Sequence, residues 1–107
     1  MKISIICPTF NEENYIENII LFFLQSETIE KELYIIDGGS SDSTVKIINN
    51  YVNNYDNIFL LHNKDKYVPF ALNLAIPKCK GDIIIRLDAH TEYSTDYFEK
   101  IIETFKE

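Results

Sequence analysis

Cysteine is scarce: the sequence holds only Cys7 and Cys79, with no CxxC spacing and no histidine in ligand register beside either. That excludes a disulfide framework and a thiolate zinc site. Cys7 reads as a small core residue on a strand, Cys79 as a turn residue, and the compartment as reducing and cytoplasmic. No apolar stretch approaches the roughly 20 residues that a membrane-spanning helix needs. The N-terminal run up to Cys7 stops at Pro8, without a signal-peptide core or a small-residue cleavage site, and reads as a buried strand. Basic residues are outnumbered, ten Lys and Arg against seventeen Asp and Glu, for a net charge of −7. They are also scattered, which excludes nucleic acid as a partner. A bare polyphosphate is disfavoured too, unless a metal ion accompanies it. The loop after the first apolar run lacks GxGxxG, which counts against NAD and FAD. Internal repeats, low-complexity segments and linkers are missing as well.

What is present is one domain's worth of chain, 107 residues, enough to bury a single core. Ile3 to Cys7 is short, β-branched and continuous, as a strand buried on both faces is. Asn11 can cap a helix whose Tyr15, Ile16, Ile19, Ile20, Phe23 and Leu24 recur at i, i+3, i+4. Leu33 to Ile36 forms a second strand, closed by Asp37-Gly38-Gly39. Ser41 is a suitable cap for a helix carrying Val45, Ile48, Tyr51 and Val52. Ile58 to Leu61 is the third strand. Pro69 suits the first turn of a third helix, with Leu72, Ala75 and Ile76 inward and Pro77 at its end. After Lys80-Gly81-Asp82 comes the fourth strand, Ile83 to Leu87. Ser94 or Thr95 then caps a last helix with Phe98, Ile101, Ile102 and Phe105 on one face. The βαβαβαβα pattern predicts an α/β fold in three layers. Its parallel sheet has strands at about 2–7, 32–37, 58–62 and 82–88, ordered 3-2-1-4.

In such a sheet ligands bind beyond the carboxyl ends of the strands, where the strand order reverses. Three polar clusters fall on that edge: Pro8 to Glu13, Asp37 to Ser40, and Asp88 to His90. Strands 2 and 4 are two spacings apart, roughly 10 Å, a span that suits a base at one end and a diphosphate at the other. Asp37 before Gly-Gly is good turn chemistry. It is also a pure acceptor that could read a uracil imide N–H. Thr9, Asn11 and Glu12 can serve as helix-capping and dipole-compensating residues. Asp88 and His90, two apart in extended backbone, can reach one point and share a divalent cation. An Asp–His hydrogen bond in a loop is the plainer alternative. His62, at the end of strand 3, reads as surface.

At these residues the sequence resembles the GT-A family 2 glycosyltransferases. Cys7-Pro8-Thr9-Phe10-Asn11-Glu12-Glu13 matches the P-T-[YF]-N-E-E opening, and Ile36 to Thr44 the D-G-S-x-D-x-T block. Ala71-Leu72-Asn73-Leu74-Ala75 resembles the A-x-N-x-[GA] helix. Leu87-Asp88-Ala89-His90 stands where the family carries L-D-x-D, and this variant is similar to the branch that builds succinoglycan-type exopolysaccharides. The resemblance implies a Rossmann-like fold and transfer of a sugar from a UDP-sugar, with Mg²⁺ or Mn²⁺, to a saccharide or lipid-linked acceptor. It implies that Pro8, Thr9 and Asp37 hold the base and that Phe10 and Glu12 line the pocket. Asp88 would contact the ribose and the metal region, and His90 would ligate the metal. An imidazole there favours Mn²⁺ over Mg²⁺.

The resemblance also implies that residues 1–107 are the donor-binding part. The acceptor half and the catalytic base would lie beyond them, leaving the chain alone a donor binder without transfer activity. Glu99 and Glu103 read as solvated helix residues rather than as that base. A full-length protein is expected in the cytoplasm, at the inner face of the membrane. Two rivals stand beside this reading: a nucleotidyltransferase, which should carry a Gly- and Lys/Arg-rich first loop, and a non-catalytic nucleotide-binding α/β module.

Overall fold

The computed structural model describes residues 1–26, 29–64 and 68–106. Along the chain run β1 (Ile3–Thr9), α1 (Ile16–Gln25), β2 (Lys31–Asp37), α2 (Thr44–Val52), β3 (Ile58–His62), α3 (Val68–Ala75), β4 (Ile83–Arg86) and α4 (Tyr97–Lys106). A single 3₁₀ turn, Ile76–Lys78, follows α3 and contains Pro77. Among the described residues the sheet has four strands in the order β3-β2-β1-β4. Every pairing is parallel, as the alternation of apolar and amphipathic segments predicts. No helix among the described residues is long and apolar enough to cross a membrane.

The pleat divides the apolar strand residues between two faces. On one face Ile3, Ile5, Cys7, Leu33, Ile35 and Ile58 meet Ile16, Ile20 and Phe23 of α1, Ile48 of α2 and Phe98 of α4. On the other, Ile6, Tyr34 and Ile36 meet Ala71 and Ala75 of α3. These alanines stand one turn apart and carry no bulk, so α3 can lie close against β1 and β2. Helices thus cover both faces and the layers number three.

Several local expectations give way. Asn11 does not cap α1: the helix starts at Ile16, and Asn11 sits at φ 49° in the connecting loop. Ser41 does not cap α2 either; Asp42 does that work, its Oδ1 accepting the Thr44 N–H at 3.0 Å. The fourth strand ends at Arg86, and Asp88–Thr91 close a turn through the Thr91 N–H to Asp88 carbonyl bond of 3.2 Å. Ile76 and Phe105, expected inward, are 46% and 62% exposed: Ile76 opens the 3₁₀ turn, where the α-helical period is broken, and Phe105 stands in the last turn of α4.

At the amino end of the sheet a buried polar cluster ties β1, β2 and the turn before β4 together. Glu32 Oε2 accepts the Ser4 hydroxyl at 2.6 Å and the Lys80 N–H at 2.7 Å, and the Gly81 N–H donates to Ser4 Oγ at 2.7 Å. The Lys2 ammonium lies 3.7 Å from the other Glu32 oxygen. This cluster sets where β4 begins, and therefore where its carboxyl end delivers Asp88 and His90.

Candidate functional site

The three polar clusters do meet at the carboxyl edge of the sheet. Thr9 pairs with Asp37 in the β1–β2 register, and the Gly38 N–H donates to the Thr9 carbonyl at 2.8 Å. On the other flank the Leu87 N–H bonds to the Ile6 carbonyl at 3.0 Å, which carries the chain beyond β4 past the same end of β1. The strand-order reversal falls between β1 and β4, as a doubly wound sheet requires.

Asp37 is 1% exposed and accepts three hydrogen bonds within its own turn. Its Oδ2 accepts the Gly39 and Ser40 N–H groups at 3.0 and 2.8 Å, and its Oδ1 accepts the Ser40 hydroxyl. A carboxylate offers about four lone-pair sites, so one on Oδ1 is left for a further donor. Thr9 is buried and its hydroxyl turns back to the Cys7 carbonyl at 3.4 Å, while Pro8 is half-buried and Phe10 is exposed.

The loop after β1 is sewn to the loop after β2 by bonds that span about thirty residues. The Asn11 N–H donates to Ser40 Oγ and its side-chain oxygen accepts the Ser41 N–H, both at 2.8 Å. The Glu12 N–H donates to Thr44 Oγ1 at 2.8 Å, and Glu13 accepts the Ser43 N–H at 3.0 Å. Asn11, Asp42 and Thr44, which the sequence offers as motif positions without a stated role in the site, are thus residues of its framework. The positive φ of Asn11, common for Asn and rare for other side chains, is the one hint that its identity holds.

At the β4 end, Ala89 is buried while Asp88 and His90 on either side of it are exposed. Both are thus carried on a turn with its middle residue inward, rather than by strand alternation. Asp88 Oδ1 lies 3.3 Å from the Arg86 guanidinium, and its N–H donates to the Tyr93 hydroxyl at 3.0 Å. His90 Nδ1 lies 2.7 Å from Glu12 Oε2, with the Tyr15 ring edge-on to the imidazole at 5.2 Å. Beneath them the Cys7 thiol is pushed up to about 12 by burial, which the Thr9 hydroxyl partly offsets and the Asp88 and Glu12 charges reinforce. Cys7 is therefore an inert core thiol, as expected.

Among the described residues no group of three or more His, Cys, Asp and Glu side chains converges to hold a metal by itself. Asp88 and His90 together offer one carboxylate and one imidazole. That set fits a cation whose remaining ligands are phosphate oxygens and water, the usual arrangement for Mg²⁺ and Mn²⁺ at phosphate sites. Concavity lies elsewhere. A hollow of about 560 Å³ is lined by Tyr34, Phe59, Cys79 and their neighbours and touches no candidate residue. One of about 350 Å³, bounded by His62, Lys64, Phe70 and Asn73, adjoins the site through Asn63, whose N–H donates to the Asp37 carbonyl at 2.8 Å. The first, walled by Tyr34, Phe59, Leu61 and Pro77 with Lys78 and Lys80, holds no carboxylate or histidine, so the charged edge is the stronger candidate.

The family model for glycosyl transferase family 2 matches residues 4–107. The chain belongs to this family. It is 36% identical, over 97% of its length, to 34% of a dolichyl N-acetyl-alpha-D-glucosaminyl phosphate 3-beta-D-2,3-diacetamido-2,3-dideoxy-beta-D-glucuronosyltransferase from Methanococcus voltae. It is 32% identical, over 92% of its length, to 31% of the succinoglycan biosynthesis protein ExoA of Rhizobium meliloti, in keeping with the Asp88-Ala89-His90 variant. Among solved structures, the mannosyltransferase PcManGT of Pyrobaculum calidifontis, in complex with GDP-Man and Mn²⁺, superposes with a TM-score of 0.88 at 20% identity, over 98% of this chain and 32% of that one. The S. aureus TarS 1-349 complex with UDP-GlcNAc superposes at 0.81 and 23% identity, over 99% of this chain and 31% of that one. Both likenesses show the GT-A fold. This family 2 chain spans about a third of the length of these relatives.

Proposed function

We propose that residues 1–107 form the donor-binding part of a hexosyltransferase that moves a sugar from a UDP-sugar to a saccharide or lipid-linked acceptor in polysaccharide synthesis. The observation that carries this reading is the delivery of Thr9, Asp37 and the Asp88–His90 pair to one sheet edge from three adjacent strands. Family membership gives that edge its chemistry, and the GDP-Man, UDP-GlcNAc and Mn²⁺ bound to the solved relatives support a nucleotide-sugar donor and a divalent cation.

In this reading Pro8, Thr9 and Phe10 flank the base, and the free Oδ1 lone pair of Asp37 accepts an imide N–H. Asp88 and His90 hold the cation, Mn²⁺ in preference to Mg²⁺, through carboxylate and imidazole. The cation supplies positive charge to the leaving nucleoside diphosphate. The acidic character of the edge favours such an ion, because Glu12, Asp37 and Asp88 meet there with Arg86 beside Asp88, and a bare diphosphate would meet their repulsion. Arg86, 3.3 Å from Asp88, holds that carboxylate at the edge. Glu99 and Glu103 are exposed on α4 and take no part.

Thermal unfolding with UDP, UDP-sugars, FMN or NAD, each with and without Mn²⁺, tests the proposal, since a ligand of the native state raises the midpoint. A rise with UDP or a UDP-sugar that needs Mn²⁺ is expected. A rise with FMN or NAD alone would instead point to a different nucleotide-binding module.

A further inference from the structure

We propose that Glu12 is a positioning residue: its carboxylate holds the proton of His90 Nδ1 and so leaves Nε2 as the atom that meets a divalent cation. The inference rests on the donor-and-metal reading above and adds to it the residue that orients the ligand.

Two atoms that both carry lone pairs do not stand 2.7 Å apart without a proton between them, and Glu12 Oε2 and His90 Nδ1 stand at that distance. Of the pair, Glu12 is the anchored member, with a side chain 14% exposed against 63% for His90. Its backbone is pinned on both sides, the N–H to Thr44 Oγ1 at 2.8 Å and the carbonyl to the Ile16 N–H at 2.8 Å as α1 begins. The Tyr15 ring, edge-on at 5.2 Å, bounds the other side of the imidazole. A neutral imidazole with its proton on Nδ1 has its lone pair on Nε2. A carboxylate behind the ring fixes its orientation and makes the outer nitrogen a better donor. It also answers a chemical question the sequence raises. Where the L-D-x-D pattern has a second carboxylate, this chain has a neutral ring, and Glu12 returns the missing negative charge one residue further from the cation.

The chain has only two histidines, so ¹⁵N-histidine labelling resolves each, with exposed His62 as the internal reference. Spectra are taken at about pH 8.5, where an ordinary imidazole is neutral. Expected is the Nδ1–H tautomer at His90 in the wild type, its loss in Glu12→Ala, and partial retention in Glu12→Gln, whose side-chain oxygen still accepts. Mn²⁺ affinity in the presence of UDP, read from the EPR signal of the free ion, should fall roughly 10–100-fold in Glu12→Ala and less in Glu12→Gln. The Nε2–H tautomer at His90 in the wild type, or unchanged Mn²⁺ affinity in a folded Glu12→Ala chain, overturns the positioning role. Mn²⁺ affinity indifferent to His90→Ala removes His90 from the cation's shell and overturns this proposal, whereas UDP binding that needs no Mn²⁺ overturns the metal reading itself.

Discussion

Asp37 shows how one side chain can carry two roles that the sequence presents as alternatives. Before Gly-Gly it reads as either a turn residue or a ligand contact, and the turn role is now plain: three donors converge on its carboxylate at 1% exposure. Asp37→Ala leaves those donors unpartnered, which costs about 1–3 kcal/mol. Urea denaturation should show that loss, and calorimetry a several-fold weaker UDP affinity. Unchanged stability would contradict the turn role. Glu32 yields a pH effect. Burial alone would push its carboxyl up, but the Lys80 N–H, the Ser4 hydroxyl and the Lys2 ammonium outweigh burial and hold it below its ordinary range. Folding therefore favours its charged form. The stabilisation is whole above the unfolded-chain value of about 4.3 and fades as pH falls through the lower folded value. Urea midpoints measured from neutral pH downward should drop more steeply in the wild type than in Glu32→Gln, and parallel slopes would count against this.

The elements were legible where local chemistry and tertiary environment agree. Short apolar runs bounded by turn residues read as strands, and right-handed crossovers leave few orders for a βαβαβαβα chain, so all four strands stand near their expected places. Pro69 does stand in the first turn of α3, but the starts of α1 and α2 were not legible, because the polar groups there bond across loops: Asn11 to Ser40 and Ser41, Glu12 to Thr44. A cap motif scanned along the chain cannot see partners some thirty residues away. Periodicity likewise could not place Ile76, where the α-helix gives way to a 3₁₀ turn, or Phe105 in the last turn of α4. Of the site, Asp88 and His90 were legible as neighbours, but the Glu12–His90 contact was not, since it joins opposite flanks of β1. The turn before β4 is an element whose identity depends on one atom. A Cβ at Gly81 would stand 2.6 Å from both the N and the Oγ of Ser4, and the backbone cannot yield there. Gly81→Ala should lower stability by about 1–3 kcal/mol and show as a depressed thermal midpoint. An unchanged midpoint would mean that the Ser4–Glu32 latch does not fix the start of β4.

For the whole molecule, the net charge of −7 and the nucleotide-sugar donor of the proposed function pull in opposite directions, and in that reading a cation reconciles them. Clustered Lys and Arg could meet a diphosphate instead, but the acids Glu12, Asp37 and Asp88 dominate the described edge. The account therefore stands or falls on metal-dependent donor binding. The most direct measurement is calorimetric titration of the chain with UDP in EDTA, in Mg²⁺ and in Mn²⁺, repeated for Asp88→Asn and His90→Ala. The expected result is no measurable UDP binding in EDTA, binding in Mn²⁺ tighter than in Mg²⁺, and a loss of the Mn²⁺ advantage in both variants. UDP binding of equal strength in EDTA and in Mn²⁺ would contradict it.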